Sequence, residues 1–206
     1  MKCSQCSAEL ETPLACAACG ALFVSEDGAS PFAIFGLAPA QRIDEKDLRK
    51  RLSRFTRLCH PDFYSAGEKA ELRELAERNT AALNAAHQLL SEPTRRADWL
   101  VSTHLRGPDE QTERQMPQAF LLEVLEWNEQ LEEARDQGTD PSALGVELQR
   151  QREEALSELE SVLDPLPAEG SDALPAARRL LNGLRYLDRA LGEIEALRLA
   201  RAAARS

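Results

Sequence analysis

Four of the chain's five cysteines crowd its first nineteen residues, spaced as Cys3-x-x-Cys6 and Cys16-x-x-Cys19, while Cys59 stands alone. A CxxC turn aims two sulfurs at one point. Four thiolates close the tetrahedral shell of zinc and leave no open catalytic position. Iron also takes four thiolates, and two reversible disulfides would use the same residues. Two knuckles in a chain with no export signal favour a metal over disulfides. The expectation is a structural Zn2+ held by Cys3, Cys6, Cys16 and Cys19, in a segment (residues 1–24) too short to fold on a core of its own. Cys59 reads as a small core residue rather than a ligand.

A second constellation lies at 57–67, RLCHPDFYSAG, where His60, Pro61 and Asp62 stand between two helical patterns. Cys59 and His60 suggest a nucleophile and its base, but adjacent helical residues point about 100° apart and do not pair. No oxyanion site is visible, and the chain has no G-x-x-x-x-G-K-[ST] loop, so any ATP belongs to a partner. The chain is expected not to be an enzyme. A rigid proline turn instead fixes the orientation of His60 and Asp62 for recognition.

The elements that would position these residues are helical. FAIFGL, 32–37, suits a short helix stopped by Gly36. Asp44 is an N-cap for a helix to about Leu58, whose apolar positions Leu48, Leu52 and Phe55 are spaced by four and three. Lys46, Lys50 and Arg57 fall on its opposite side, flanked by Arg49 and Arg54. Pro61 ends that helix. The next runs from about Ala66 to Leu90, with Leu72, Leu75, Ala82, Leu83, Ala86 and Leu89 at helical spacing, and the two should pack antiparallel. A short helix with Trp99 and Leu100 follows Pro93. SEDGASP (25–31) and RGPDEQTERQ (106–115) read as linkers. Three more helices, at about 117–136, 142–163 and 173–200, are separated by short breaks that favour an antiparallel three-helix bundle. The last residues, RLARAAARS, are expected to fray. No segment alternates as a strand.

Composition narrows the classes further. The 206 residues are 43% hydrophobic and 29% charged, with a net charge of −10. That acidic total weighs against broad nucleic-acid binding. No window approaches a membrane span, and the start, MKCSQCSAEL, has no targeting character, which predicts a cytoplasmic location.

Two long antiparallel helices, a basic first helix and His-Pro-Asp in the turn resemble a J-domain, here spanning 31–105. The resemblance implies that His60, Pro61 and Asp62, with Lys46, Lys50, Arg54 and Arg57, dock on a DnaK-type chaperone and stimulate its ATP hydrolysis. Downstream, QAFLLEVLEWNEQLEEA (118–134), RRADWLVSTH (95–104) and LRYLDRA (184–190) resemble the HscB co-chaperones of iron–sulfur cluster assembly. Some eukaryotic HscB proteins also carry two CxxC pairs ahead of the J-domain, and HPDFY is similar to their wording. The resemblance implies an HscA-like chaperone as one partner. It implies an IscU-type scaffold as the other, bound by the 116–206 bundle through Leu121, Leu125, Glu126, Glu129 and Tyr186. Weak self-association is a further expectation. The purpose of the metal segment stays open among docking a partner, bracing the J-domain and self-association.

Periodicity bears on the same residues. Phe120, Val124, Trp127 and Leu131 form one stripe, and Leu121 and Leu125 lie to its side. Leu180, Leu184, Leu187, Leu191 and Ile194 form another, with Tyr186 placed nearly opposite. Exposed leucines and an outward tyrosine suit a partner patch. The alternatives are a J-domain protein serving another client and a zinc-ribbon adaptor or regulatory protein.

Overall fold

The computed structural model describes residues 1–24, 28–64, 70–109 and 116–204. They fall into two compact units, Met1–Arg96 and Ala97–Ser206. Regular structure among the described residues is helical; extended pairing is confined to the bridges Lys2–Glu9, Thr12–Ala15 and Ala15–Leu22. The chain is therefore all-α with a small N-terminal knuckle, as its sequence predicts.

In the first unit, α1 is a single turn, Pro31–Ile34, and the chain leaves it through Gly36 at φ 63°. The helix α2 spans Glu45–Cys59. Its cap is Asp44, whose carboxylate accepts from the backbone N–H groups of Lys46 (2.8 Å) and Asp47 (3.2 Å). It ends because His60 precedes a proline and must be extended, at ψ 125°. A 3-10 turn, Pro61–Tyr64, follows, and α3 spans Ala70–Ser91. The expected start of that helix at Ala66 lies outside the described residues. Phe32, Phe35, Leu48, Phe55, Cys59, Leu83, Ala86 and Leu90 are buried, and Phe35 packs on Phe55 at 6.1 Å between ring centroids.

One stripe differs from the sequence reading. Leu72 is exposed, while Ala76 and Asn79 take the inner face of α3. The inward side of this helix is therefore rotated from the leucine pattern, and a polar residue occupies it. The knuckle described below explains why.

Helix α4, Pro93–Trp99, continues as a π-helical turn, Leu100–His104. The second unit then holds α5 (Gln118–Gln137), α6 (Ser142–Leu163) and α7 (Ala173–Ala204). Helix α7 packs against both α5 and α6 and is the spine of the bundle. One apolar layer joins Leu159 and Leu163 of α6 to Leu174, Ala177, Leu181 and Leu184 of α7, with Val101 and Leu105. A second joins Trp127 and Leu131 of α5 and Leu148 of α6 to Leu187, Ala190 and Ile194. Of the stretch expected to fray, RLARAAARS (198–206), residues 198–204 continue α7, and Arg201 donates to the Thr139 carbonyl and lies 3.7 Å from the Asp140 carboxylate, while 205 and 206 lie outside the described residues. Those contacts come from the α5–α6 connection and are invisible locally.

Candidate functional sites

The two cysteine knuckles repeat one geometry thirteen residues apart. In the first, Cys3 N donates to Ala8 O and Ser7 N to Cys3 O; in the second, Cys16 N donates to Ala21 O and Gly20 N to Cys16 O. Ser7 (φ 62°) and Gly20 (φ 73°) occupy equivalent left-handed positions. The four Sγ atoms lie within 4.8 Å of one another, with Cys3–Cys19 at 3.7 Å and Cys6–Cys16 at 3.6 Å. A tetrahedron with Zn–S bonds of about 2.3 Å has edges of about 3.8 Å, so the donor set fits a single ion. Burial alone would raise the Cys3 thiol, but the backbone N–H groups of Cys6 and Gln5 outweigh it and bring it down to about 7. At Cys6 the Ala8 N–H acts to lower the thiol, yet the Cys3 and Cys19 thiols beside it push it up to about 12. Four sulfurs this close cannot all ionise without a cation, and a divalent ion removes that conflict. The tetrad could hold a metal ion.

The His-Pro-Asp turn sits at the tip of the α2–α3 hairpin. Asp62 N donates to His60 Nδ1 (3.3 Å), Phe63 N donates to His60 O (3.2 Å), and Thr80 on α3 donates to Cys59 O (3.1 Å). The Tyr64 hydroxyl closes the base of the turn on Leu58 O at 3.2 Å. Asp62 is exposed and His60 is half-exposed. Lys46, Lys50, Arg54 and Arg57 are all exposed on α2, whose C-terminal end runs directly into the turn, and Arg54 pairs with the Glu11 carboxylate. Cys59 is wholly buried, and burial pushes its thiol up to about 11. It is a protonated core side chain at neutral pH and lies apart from the tetrad.

On the bundle, Leu121 and Leu125 are 40% and 57% exposed, and Glu126 and Glu129 are exposed beside them. Tyr186 is not opposite the core stripe. Its ring meets Phe120 edge-on at 5.7 Å and flanks the α5–α7 seam, leaving it 40% exposed. The tyrosine is therefore carried to the same side of the bundle as the helix bearing the leucines.

Comparison with known proteins bears on these sites. Residues 116–195 match the family model described as the HSCB C-terminal oligomerisation domain. The chain is 36% identical over 135 residues to the co-chaperone protein HscB homolog of Bordetella avium, covering 65% of this chain and 79% of that one. The Ralstonia nicotianae homolog is 35% identical over 147 residues, covering 70% and 81%. The chain belongs to the HscB co-chaperone family. The human iron–sulfur cluster co-chaperone protein HscB is 28% identical over 162 residues, covering 79% of this chain and 62% of that one. The crystal structure of human HscB shares the fold, with a TM-score of 0.77, 23% identity and coverage of 97% and 100%. HscB from Vibrio cholerae gives 0.66 at 25% identity, covering 82% and 97%.

Within this HscB fold the sequence reading missed Leu122 and Asn79 and gave Phe63 no role. Leu122, 54% exposed, extends the Leu121–Leu125 surface, and three leucines off one core stripe were the available signal. Phe63, 67% exposed, stands edge-on to His60 at 6.1 Å. Asn79 carried no sequence signal; its role exists only once α3 meets the knuckle.

Proposed function

We propose that this HscB-family chain is a co-chaperone of iron–sulfur cluster assembly that joins a DnaK-type, HscA-like chaperone to an IscU-type scaffold. The observation that carries the reading is the His60-Pro61-Asp62 turn, presented at a hairpin tip beside an exposed basic face in an otherwise acidic chain. Lys46, Lys50, Arg54 and Arg57 steer the turn toward an acidic chaperone surface, and the docked turn stimulates ATP hydrolysis by the chaperone. Leu121, Leu125 and Tyr186 supply the apolar contact with the scaffold, and Glu126 and Glu129 its charged rim. The exposure of these side chains supports that assignment. The work divides among the metal segment 1–24, the J-domain 31–105 and the bundle 116–206.

Cys3, Cys6, Cys16 and Cys19 hold a structural Zn2+ with no open position. The acidic charge favours protein partners over nucleic acid. No helix among the described residues is long and apolar enough to cross a membrane, in keeping with work in the cytoplasm. The family model's description as an oligomerisation domain supports weak self-association as well.

The test is the ATPase rate of the chaperone with this protein, with and without the scaffold. Stimulation should vanish in His60→Gln and rise synergistically when scaffold is present. Stimulation that needs His60 but ignores the scaffold would remove the scaffold assignment and leave a J-domain protein with another client.

A further inference from the structure

The metal knuckle is built into the helical hairpin at three points. Asn79 on α3, 1% exposed, directs its side-chain amide at two knuckle carbonyls, Leu14 O and Phe23 O, each 3.0 Å away. Those carbonyls bracket Cys16 and Cys19, and Leu14 itself is fully buried. Glu11 makes the second point. Its carboxylate pairs with Arg54 on the basic face of α2, and its carbonyl packs so closely on Gly36 that a Cβ there would collide with it. The third is Gly20, the residue after Cys19, whose carbonyl lies 3.4 Å from the Tyr64 hydroxyl. Tyr64 is two residues beyond Asp62, and its single hydroxyl proton is shared between Gly20 O and Leu58 O (3.2 Å). The knuckle thus touches the hairpin on both sides of the His-Pro-Asp turn, at Arg54 before it and Tyr64 after it.

The knuckle's own apolar cluster is small: Cys3, Cys16 and Ala21, with Ala8, Leu10 and Phe23 against it. Such a segment draws its folding energy from the metal. Without the metal the anchors lose their partners, and Asn79 is left with unsatisfied donors inside a core. The coupling must run both ways, because two sites linked through one folded element change each other's affinity by the same factor.

We propose that the tetracysteine knuckle is a metal-dependent part of the chaperone-facing surface, with Asn79, Glu11 and Tyr64 as positioning residues that link metal occupancy to the setting of the His-Pro-Asp turn. This rests on the metal and chaperone readings proposed above. Its test separates from theirs because metal affinity is measured without a chaperone.

The full chain is titrated with zinc against a chromophoric chelator under reducing conditions, as wild type, Asn79→Ala, Glu11→Gln and Tyr64→Phe. None of these replaces a ligand. Asn79→Ala should weaken zinc binding about tenfold, and the other two several-fold. Glu11→Gln keeps the inference testable if Asn79→Ala fails to fold, since the Glu11 side chain is half-exposed. Unchanged affinity in every folded variant would overturn the linkage. A wild-type chain that takes up no zinc would sink the metal reading, and this inference with it.

A second arm follows the His60 imidazole signals by NMR and the co-chaperone concentration that half-maximally stimulates the chaperone. Removing zinc should shift the His60 signals and raise that concentration several-fold, with the maximal rate retained. His60 signals indifferent to zinc would refute the coupling to the turn even if the affinities change.

Discussion

His60 owes its position to its neighbours. Pro61 holds its backbone extended, Asp62 donates to its ring, and Thr80 fixes the carbonyl just before it. Buried Cys59 beside it should resist alkylation in the folded protein, whereas the four knuckle cysteines should react once metal is removed and the segment it holds together opens; mass spectrometry after a short iodoacetamide pulse checks both. Asp44 gives a pH prediction. Backbone N–H donors from Asp47 and Lys46 hold its carboxyl below the ordinary value of 3.8. The cap's contribution is therefore fully present above pH 3.8 and is lost as pH falls through the lowered pKa. Thermal melts should show Asp44→Ala less stable than wild type at neutral pH, with the gap closing in acid. At this scale the cysteine tetrad was legible because residue type and spacing define it, and the His-Pro-Asp turn because the tripeptide stands between two long helical patterns. Asn79 was not, because it reads as an ordinary helical polar residue until two backbone carbonyls from a distant segment face it.

The elements divide by whether their limits are local. Asp44, Gly36 and Pro61 mark starts and stops within a few residues, so α2 appears where the sequence puts it. Helix α6 occupies the expected 142–163 because Asp140 accepts from both the backbone N–H and the hydroxyl of Ser142 at its start. The end of α7 escaped because its support comes from Thr139 and Asp140, far away in sequence. Helix α5 carries two kinds of apolar residue, and substitution should tell them apart. Trp127→Ala, in the core between α5 and α7, should cost about 3–5 kcal/mol in denaturant unfolding. The Leu121→Ala/Leu125→Ala pair should leave helicity and melting nearly unchanged while abolishing scaffold binding in calorimetry. Retained affinity would remove that patch from the interface.

At the scale of the whole molecule, a net charge of −10 coexists with one basic helix face. Stimulation of the chaperone should therefore weaken steeply as salt rises from about 50 to about 200 mM, whereas scaffold binding through leucines should change little. Equal salt sensitivity of the two would contradict the division of labour. Helix α7 has a consequence of its own. Leu184 belongs to one apolar layer and Leu187 to the other, and Tyr186 projects from the joint between them. Phe120 packs against the second layer, so loss of that layer would take the tyrosine's footing with it. A partner that bound Tyr186 together with Leu121 and Leu125 would meet only chains in which α5 and α7 are docked, so that recognition would double as proofreading of the fold.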